Sequence, residues 1–268
     1  MSKSLQTSAL LYLDSLLRRG QFSVGVREVA GEFGLSPQAA SNLCTRLVRK
    51  GLLDRVVPGR FAIRQLGLLG TSAAAESDAL AVGTALGGEP HRIAYRSAFA
   101  HHDLIQHPAR TIQVAISRQV RINHLSNRPL EPIWEDEATL GVGAEDAGMG
   151  ASVSDLERCL LDAARRPALV GGLGVVAQAL EASRERVNWS LLRSYAQLPR
   201  LRVAERRLRS VAHRISIRHL DDTPQSVRRV SAARAYPASK APTAWRDVRN
   251  AVLWSSTDID DVAGSTDA

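Results

Sequence analysis

The chain has little of several features that define common protein classes. It holds two cysteines among 268 residues, and because Cys44 and Cys159 both fall on apolar helical faces, we predict two reduced core thiols; a disulfide or redox switch between them is the alternative. No apolar run approaches the ~18 residues of a membrane helix, and the N-terminus lacks a charged segment followed by an apolar run. These absences predict a soluble, cytoplasmic protein with no membrane partner.

Lysine is scarce, since only Lys3, Lys50 and Lys240 occur among 35 basic residues. Metal-dependent nucleases of the restriction type usually place a lysine two residues after an acid, but Lys240 follows Ala238 at that spacing. Nucleophile elbows, a phosphate-binding P-loop and paired zinc cysteines are absent as well. We therefore expect that the protein is not an enzyme.

Charge is distributed unevenly along the chain. Residues 1–64 carry ten basic and four acidic side chains, 65–199 carry twelve and fifteen, 200–250 carry thirteen and four, and 251–268 carry none and four. A basic N-terminal module, a near-neutral middle and a basic C-terminal stretch at 200–250 are typical of a DNA binder whose middle domain has another role. An arginine-rich helical surface could also bind an acidic protein.

The segment 35–64 has the features of a winged helix-turn-helix. Ser36 is a good N-cap, Pro37 suits the first helical position, and Gly51 ends the helix. The residues Val56–Phe61 then contain a turn signal between two short apolar runs, which predicts a basic β-hairpin, the wing.

The residues upstream complete this motif. A first helix is indicated by apolar residues at helical spacing before Gly20, and a short second helix by a similar stripe before Gly34. The stripes consist of Leu5, Ala9, Tyr12, Leu13, Leu16 and Leu17, and of Val26, Val29, Ala30 and Phe33. About three residues then separate the second and third helices, as a helix-turn-helix requires.

The third helix is predicted to bury one face and offer the other to DNA. Short polar side chains and amides near its start can reach base edges, and arginines can bind phosphates or a minor groove. The candidate DNA-binding residues are Ser36, Gln38, Ala39, Ser41, Asn42, Thr45, Arg46, Arg49, Lys50, Arg55 and Arg60. The alternative is that they are ordinary solvated residues of a small bundle used for protein contact.

The chain length and patterning predict an α+β fold in three parts. Residues 1–66 form the winged helix-turn-helix, and 73–215 an α+β domain with its helices toward the C-terminal side, after a glycine-bearing boundary at 65–72. Residues 216–268 form a basic extension that ends in an acidic, disordered tail. Within the second domain we predict helices at 73–86, 97–102, from Ser154, 173–183, 189–197 and 201–213, and strands at 93–95, 111–116 and within 118–134.

Several stretches of the second domain, in their order after the winged helix, resemble the AbiEi family of antitoxins. They are Tyr95–Ile105, Arg110–Ile116, Ser154–Gly172 and Ala177–Leu180. The resemblance covers residues 5–215 and implies a repressor of its own operon that binds promoter inverted repeats and counters a nucleotidyltransferase-like toxin. It also implies that the C-terminal domain carries antitoxin activity and assists repression, a role that the basic C-terminal helices would suit.

Other patterns that could indicate chemistry are weaker. Gly172–Ala177 matches a dinucleotide-binding pattern but lacks a preceding strand and an acid about 20 residues on, so we interpret it as a helix start. His101, His102 and His107 have no cysteine or paired carboxylate at ligand spacing. The acids at 135–137 and 258–261 are typical of a solvated loop and a tail. We therefore expect no metal and no cofactor.

The first functional hypothesis is a DNA-binding antitoxin and autorepressor of a type IV, AbiE-like system. Its partners would be double-stranded promoter DNA, the toxin and, as an open question, a second DNA-bound copy. The runner-up is a ligand-responsive winged-helix regulator whose middle domain binds a metabolite. A third hypothesis is an enzyme that uses the winged helix only to find its substrate.

Overall fold

The computed structural model describes residues 2–64, 77–106, 109–126, 128–217, 233–234, 243–247 and 249–266. Within them the protein is a mixed α+β structure, as predicted. The helices are α1 (Ser2–Arg18), α2 (Val26–Phe33), α3 (Pro37–Arg49), α4 (Asp78–Leu86), α5 (Tyr95–His101), α6 (Glu137–Leu140), α7 (Leu156–Arg165), α8 (Leu173–Ser183), α9 (Trp189–Tyr195), α10 (Arg202–Arg214) and α11 (Ser256–Thr266). The strands are β1 (Ser23–Gly25), β2 (Leu53–Val57), β3 (Arg60–Ile63), β4 (His91–Ile93), β5 (Ile112–Ile116), β6 (His124–Leu125), β7 (Arg128–Trp134), β8 (Ala144–Gly148), β9 (Ala151–Ser154), β10 (Ala233–Arg234), β11 (Thr243–Asp247) and β12 (Val252–Ser255).

The N-terminal part consists of α1 to α3 and an antiparallel sheet in the order β1-β3-β2. Local sequence signals set its boundaries. Gly34 ends α2 in the left-handed region with φ 59°, where a Cβ would be strained. The Ser36 hydroxyl accepts a hydrogen bond from the Ala39 N–H and starts α3 before Pro37. Apolar residues of all three helices and the sheet form one buried cluster beneath them.

The middle of the chain forms a mixed six-stranded sheet in the order β6-β7-β5-β4-β9-β8. Most predicted elements are present, including a helix at 173–183. One of these predictions is wrong at Tyr95, which begins α5 instead of ending a strand. The glycine-rich stretch 141–150, for which no strand was predicted, contains β8; Gly148 and Gly150, both with φ above 70°, form the turn that pairs β8 with β9.

The β2–β3 hairpin joins the two parts of the molecule. Val56, Val57 and Ala62 belong to the hydrophobic core of the six-stranded sheet and its helices. The backbone N–H of Ser126 also donates to the Val56 carbonyl at 2.9 Å. The hairpin is therefore held by contacts on both sides, while the predicted boundary at 65–72 lies outside the described residues.

The predicted disordered tail is wrong for the described residues of the C-terminal extension. Strands β10, β12 and β11 form a three-stranded sheet, and α11 packs against α8. Val252, Trp254 and Val262 are buried in the main core. The prediction failed because acidic residues and these apolar residues occur in the same segment, and the acidic residues suggested disorder.

A fully buried ionic network links the sheet to α7, and the sequence did not predict it. Arg92 on β4 and Arg158 on α7 both bind the Asp162 carboxylate, at 2.8 and 2.9 Å. Both arginines also pair with Glu135, which follows β7. Burial alone would raise the pKa of Asp162, but the two guanidinium groups outweigh it and lower that pKa.

Both cysteines are buried and free, as predicted. Burial raises the pKa of the Cys44 thiol and, more strongly, that of Cys159. Neither thiol is therefore poised for nucleophilic chemistry.

Candidate nucleic-acid interface

One face of α3 is a polar ridge open to solvent. Gln38, Asn42, Arg46 and Arg49 are all exposed and recur at a spacing of three or four residues, which aligns them along the helix. Ala40, Leu43, Cys44 and Leu47 on the opposite face are buried. Burial of the apolar face therefore fixes which side chains point outward.

The remaining candidates on α3 surround this ridge. Ser36 and Lys50 are exposed at its two ends, and Ala39, Ser41 and Thr45 are partly exposed along one side. The Gln38 amide donates to the Asn42 side-chain oxygen at 3.3 Å, whereas the Thr45 hydroxyl donates to the Ser41 carbonyl at 2.9 Å. Thr45 thus uses its proton within the helix, while Gln38 and Asn42 keep free donors and acceptors for a base edge.

The hairpin arginines are placed differently from one another. Arg55 is exposed, with its guanidinium carbon 5.6 Å from the centre of the Phe61 ring. Arg60 is exposed too, but its guanidinium donates to the Thr84 carbonyl on α4 at 3.3 Å. Arg60 therefore contacts the second part of the chain, which the sequence could not indicate because residues 60 and 84 are distant along it.

A cleft of about 520 Å³ adjoins this interface and was not predicted. Its walls are the β1–α2 junction, the β2–β3 turn and the end of α4, and Pro37 at the start of α3 borders it. Arg27, Glu28, Arg60 and Thr84 are the polar residues with charged or hydroxyl side chains that line it beside Ser23. No motif marks it in the sequence, because four separate segments form it.

The other residue patterns considered in the sequence form no binding site in the part of the chain that the structure describes. The Gly172–Ala177 pattern follows a short 3-10 helix, Pro167–Leu169, and begins α8 as a helix start. His101 and His102 have adjacent rings, and the His102 ring contacts the Ser154 carbonyl, while His107 lies outside the described residues. Among those residues no group of three or more potential ligands could hold a metal.

The basic residues of α10 do not all form a surface. Arg207 and Arg209 are each only 8% exposed. The Arg207 guanidinium donates to the Arg165 carbonyl at 3.1 Å, and burial, with a smaller effect of Arg206, lowers the pKa of Arg207 to about 10. These two arginines contribute to packing, so the basic stretch at 200–250 is less of a cationic surface than its composition predicts.

The fold and this face define an α+β protein with a polar helical ridge at its N-terminal end. The chain resembles the crystal structure of the RV2827C protein from Mycobacterium tuberculosis, with a TM-score of 0.61 and 17% sequence identity over 96% of this chain and 95% of that one. At that identity the likeness concerns the fold alone. No family model and no curated protein matches the chain.

Among the helices described, none combines the length and apolar character needed to cross a bilayer.

Proposed function

We propose that the chain is a DNA-binding regulator built on a winged helix-turn-helix at residues 1–66. The observation that carries this proposal is the exposed ridge of Gln38, Asn42, Arg46 and Arg49 on α3. A helix of this kind fits a major groove, where amides and arginines pair with base edges. The β2–β3 hairpin beside it takes the place of the wing, with Arg55 exposed for the DNA backbone.

The regulator is proposed to act as the antitoxin of a type IV, AbiE-like system in the cytoplasm. It would repress its own operon at promoter inverted repeats and counter a nucleotidyltransferase-like toxin. This part of the proposal rests on the resemblance of the stretches in residues 95–180 to AbiEi antitoxins.

Binding to the DNA upstream of its own gene tests the proposal. The full chain is expected to prefer that fragment over unrelated DNA, and the double variant Asn42→Ala/Arg46→Ala to lose ~1 to 3 kcal/mol of that preference for each lost base contact. Arg121→Gln, at an exposed position of the second part, is the matched control. Equal binding of both fragments by the unmodified chain would overturn the DNA-binding proposal.

Co-expression with the product of the adjacent gene tests the antitoxin role. We expect growth rescue together with promoter repression when that gene encodes a nucleotidyltransferase-like toxin. Repression without any rescue contradicts the antitoxin role and leaves a regulator.

The cleft beside α3 favours a second candidate, a ligand-responsive winged-helix regulator. Its volume of about 520 Å³ lies in the range of small-molecule sites. It borders the N-terminal part instead of lying within residues 73–215, where a metabolite site was expected. A small molecule that binds the chain and changes its affinity for promoter DNA would support this candidate.

A further inference from the structure

The cleft between α2, the β2–β3 turn and α4 contains a buried hydroxyl without a partner. Thr84 lines the cleft and is 1% exposed, and its Oγ1 makes no hydrogen bond to any residue that the structure describes. An unpaired buried hydroxyl is costly, and native structures rarely keep one without a ligand, a water or another role. The other buried positions of α4 are Ala, Val, Gly and Leu, so a polar residue there is an exception.

Positive charge and backbone donors converge on the same cleft. Arg27 is exposed there and has no hydrogen-bond or ion-pair partner among the described residues, and the Arg60 guanidinium reaches the Thr84 carbonyl from the opposite wall. The N-terminus of α2 borders it: the Val26 N–H already donates to the Gly59 carbonyl at 2.9 Å, and the N-cap, Gly25, has no side chain to cover the next N–H groups of the first turn. Such a terminus favours an anion.

One acid, Glu28, lines the cleft and has a hydrogen-bond partner in the backbone. The Glu28 carboxylate accepts a hydrogen bond from the Gly25 N–H at 3.1 Å. Two guanidinium groups therefore face one hydrogen-bonded carboxylate, and the cleft favours a negatively charged ligand with several acceptor oxygens.

We propose that this cleft binds a phosphate group, held by the guanidinium groups of Arg27 and Arg60, the backbone N–H groups of Arg27 and Glu28 in the first turn of α2, and the Thr84 hydroxyl as donors. The proposal rests on the proposed DNA-binding function for one of its two sources, a phosphate of the DNA backbone. That source fits because Pro37, where the DNA-facing helix α3 begins, borders the cleft. The other source is a free, phosphate-bearing small molecule.

Because Thr84 lies on α4, a bound phosphate would connect the N-terminal part to the second part of the chain. The hairpin already spans both, through Val56 and Val57 in the main core. Binding of DNA or of a ligand in the cleft would then directly affect the domain that is proposed to act on the toxin.

Calorimetric titration of the full chain with inorganic phosphate tests the site, with sodium chloride of matched ionic strength as the reference titrant. We expect saturable binding that weakens roughly tenfold or more in Arg27→Gln and in Thr84→Val, because each removes a hydrogen bond to a charged group. Thr84→Val removes an unpaired hydroxyl without changing shape, so its thermal stability should not fall. Arg121→Gln is the matched control and should bind phosphate like the unmodified chain.

Salt dependence of DNA binding identifies the source of the phosphate. If DNA supplies it, Arg27→Gln lowers the slope of log K against log [salt] by about 0.9, the change for one phosphate contact. If phosphate binding is lost while the slope stays unchanged, the ligand is a free phosphate-bearing molecule.

Absence of saturable phosphate binding overturns the proposal whatever the DNA result, and so does binding by Arg27→Gln and Thr84→Val that is as tight as in the unmodified chain. If the chain instead shows no preference for promoter DNA but binds phosphate in a way that depends on Arg27, only the proposed function is contradicted.

Discussion

The Asp261 carboxylate accepts a hydrogen bond from the Gly174 N–H at 2.8 Å, although 87 residues separate them. Gly174 lies in the first turn of α8, whose N-cap residue Gly172 offers no side chain. The acid from α11 therefore caps this helix and balances the positive end of its dipole. It occupies the place where a true dinucleotide pattern would hold pyrophosphate, so the formal match at 172–177 has a structural role here.

Asp261→Ala should therefore destabilise the chain by about 0.5 to 1 kcal/mol, because it removes a cap from a solvent-accessible position. Asp260→Ala, at an exposed neighbouring position on the same helix, is the control. Urea unfolding of the two variants measures the difference. Equal stabilities would show that α11 packs on α8 without help from the carboxylate.

The buried network around Asp162 predicts a much larger effect. Asp162→Asn leaves Arg92 and Arg158 buried with less countercharge, which costs about 3 to 5 kcal/mol when a buried pair is broken. Glu185→Gln removes one side of an exposed ion pair with Arg184 and should change stability by less than about 1 kcal/mol. Thermal and denaturant unfolding of both variants tests the contrast, and similar small losses would contradict the network's importance.

The pH dependence of this stabilisation follows from the lowered pKa of Asp162. A carboxyl whose folded-state pKa lies below its unfolded value of about 3.9 stabilises the fold above that value, and loses this contribution as pH falls through the folded-state pKa. The stability gap between the unmodified chain and Asp162→Asn should therefore stay constant from neutral pH to about 5 and narrow only below about 4. Unfolding curves over that range measure it, and a gap that closes near neutral pH would contradict the assignment.

Local signals in the sequence predicted the N-terminal elements well and long-range contacts poorly. Ser36, Pro37 and Gly34 act within a few residues, so α3 and the stop before it could be located from the sequence. The Arg60–Thr84 contact and the Asp261 cap join distant segments, and no spacing rule indicates them. The tail prediction was wrong for a related reason: Trp254 is buried by partners elsewhere in the chain.

At Gly83, α4 approaches the β8–β9 turn closely. A Cβ at this position would come within 2.1 Å of the Met149 carbonyl oxygen, a backbone atom that cannot rotate away. We expect Gly83→Ala to cost about 1 to 3 kcal/mol or more through overpacking. Gly31→Ala, in α2 with nothing near its added Cβ, should instead stabilise by roughly 0.5 to 1 kcal/mol. Opposite shifts in melting temperature confirm the contrast; two shifts of the same sign contradict it.

The ridge on α3 predicts that two substitutions in the protein change DNA binding in different ways. Asn42, in the middle of the helix between Gln38 and Arg46, is expected to read a base edge, so Asn42→Ala should relax discrimination at one base pair by ~1 to 3 kcal/mol. Arg49, in the last turn, is expected to bind a phosphate, so Arg49→Gln should weaken binding to all sequences and lower the salt slope by about 0.9. A panel of single-base duplex variants, measured at several salt concentrations, separates the two. If Arg49→Gln changes the ranking of sequences while Asn42→Ala leaves it unchanged, α3 lies on DNA in another orientation than the one proposed.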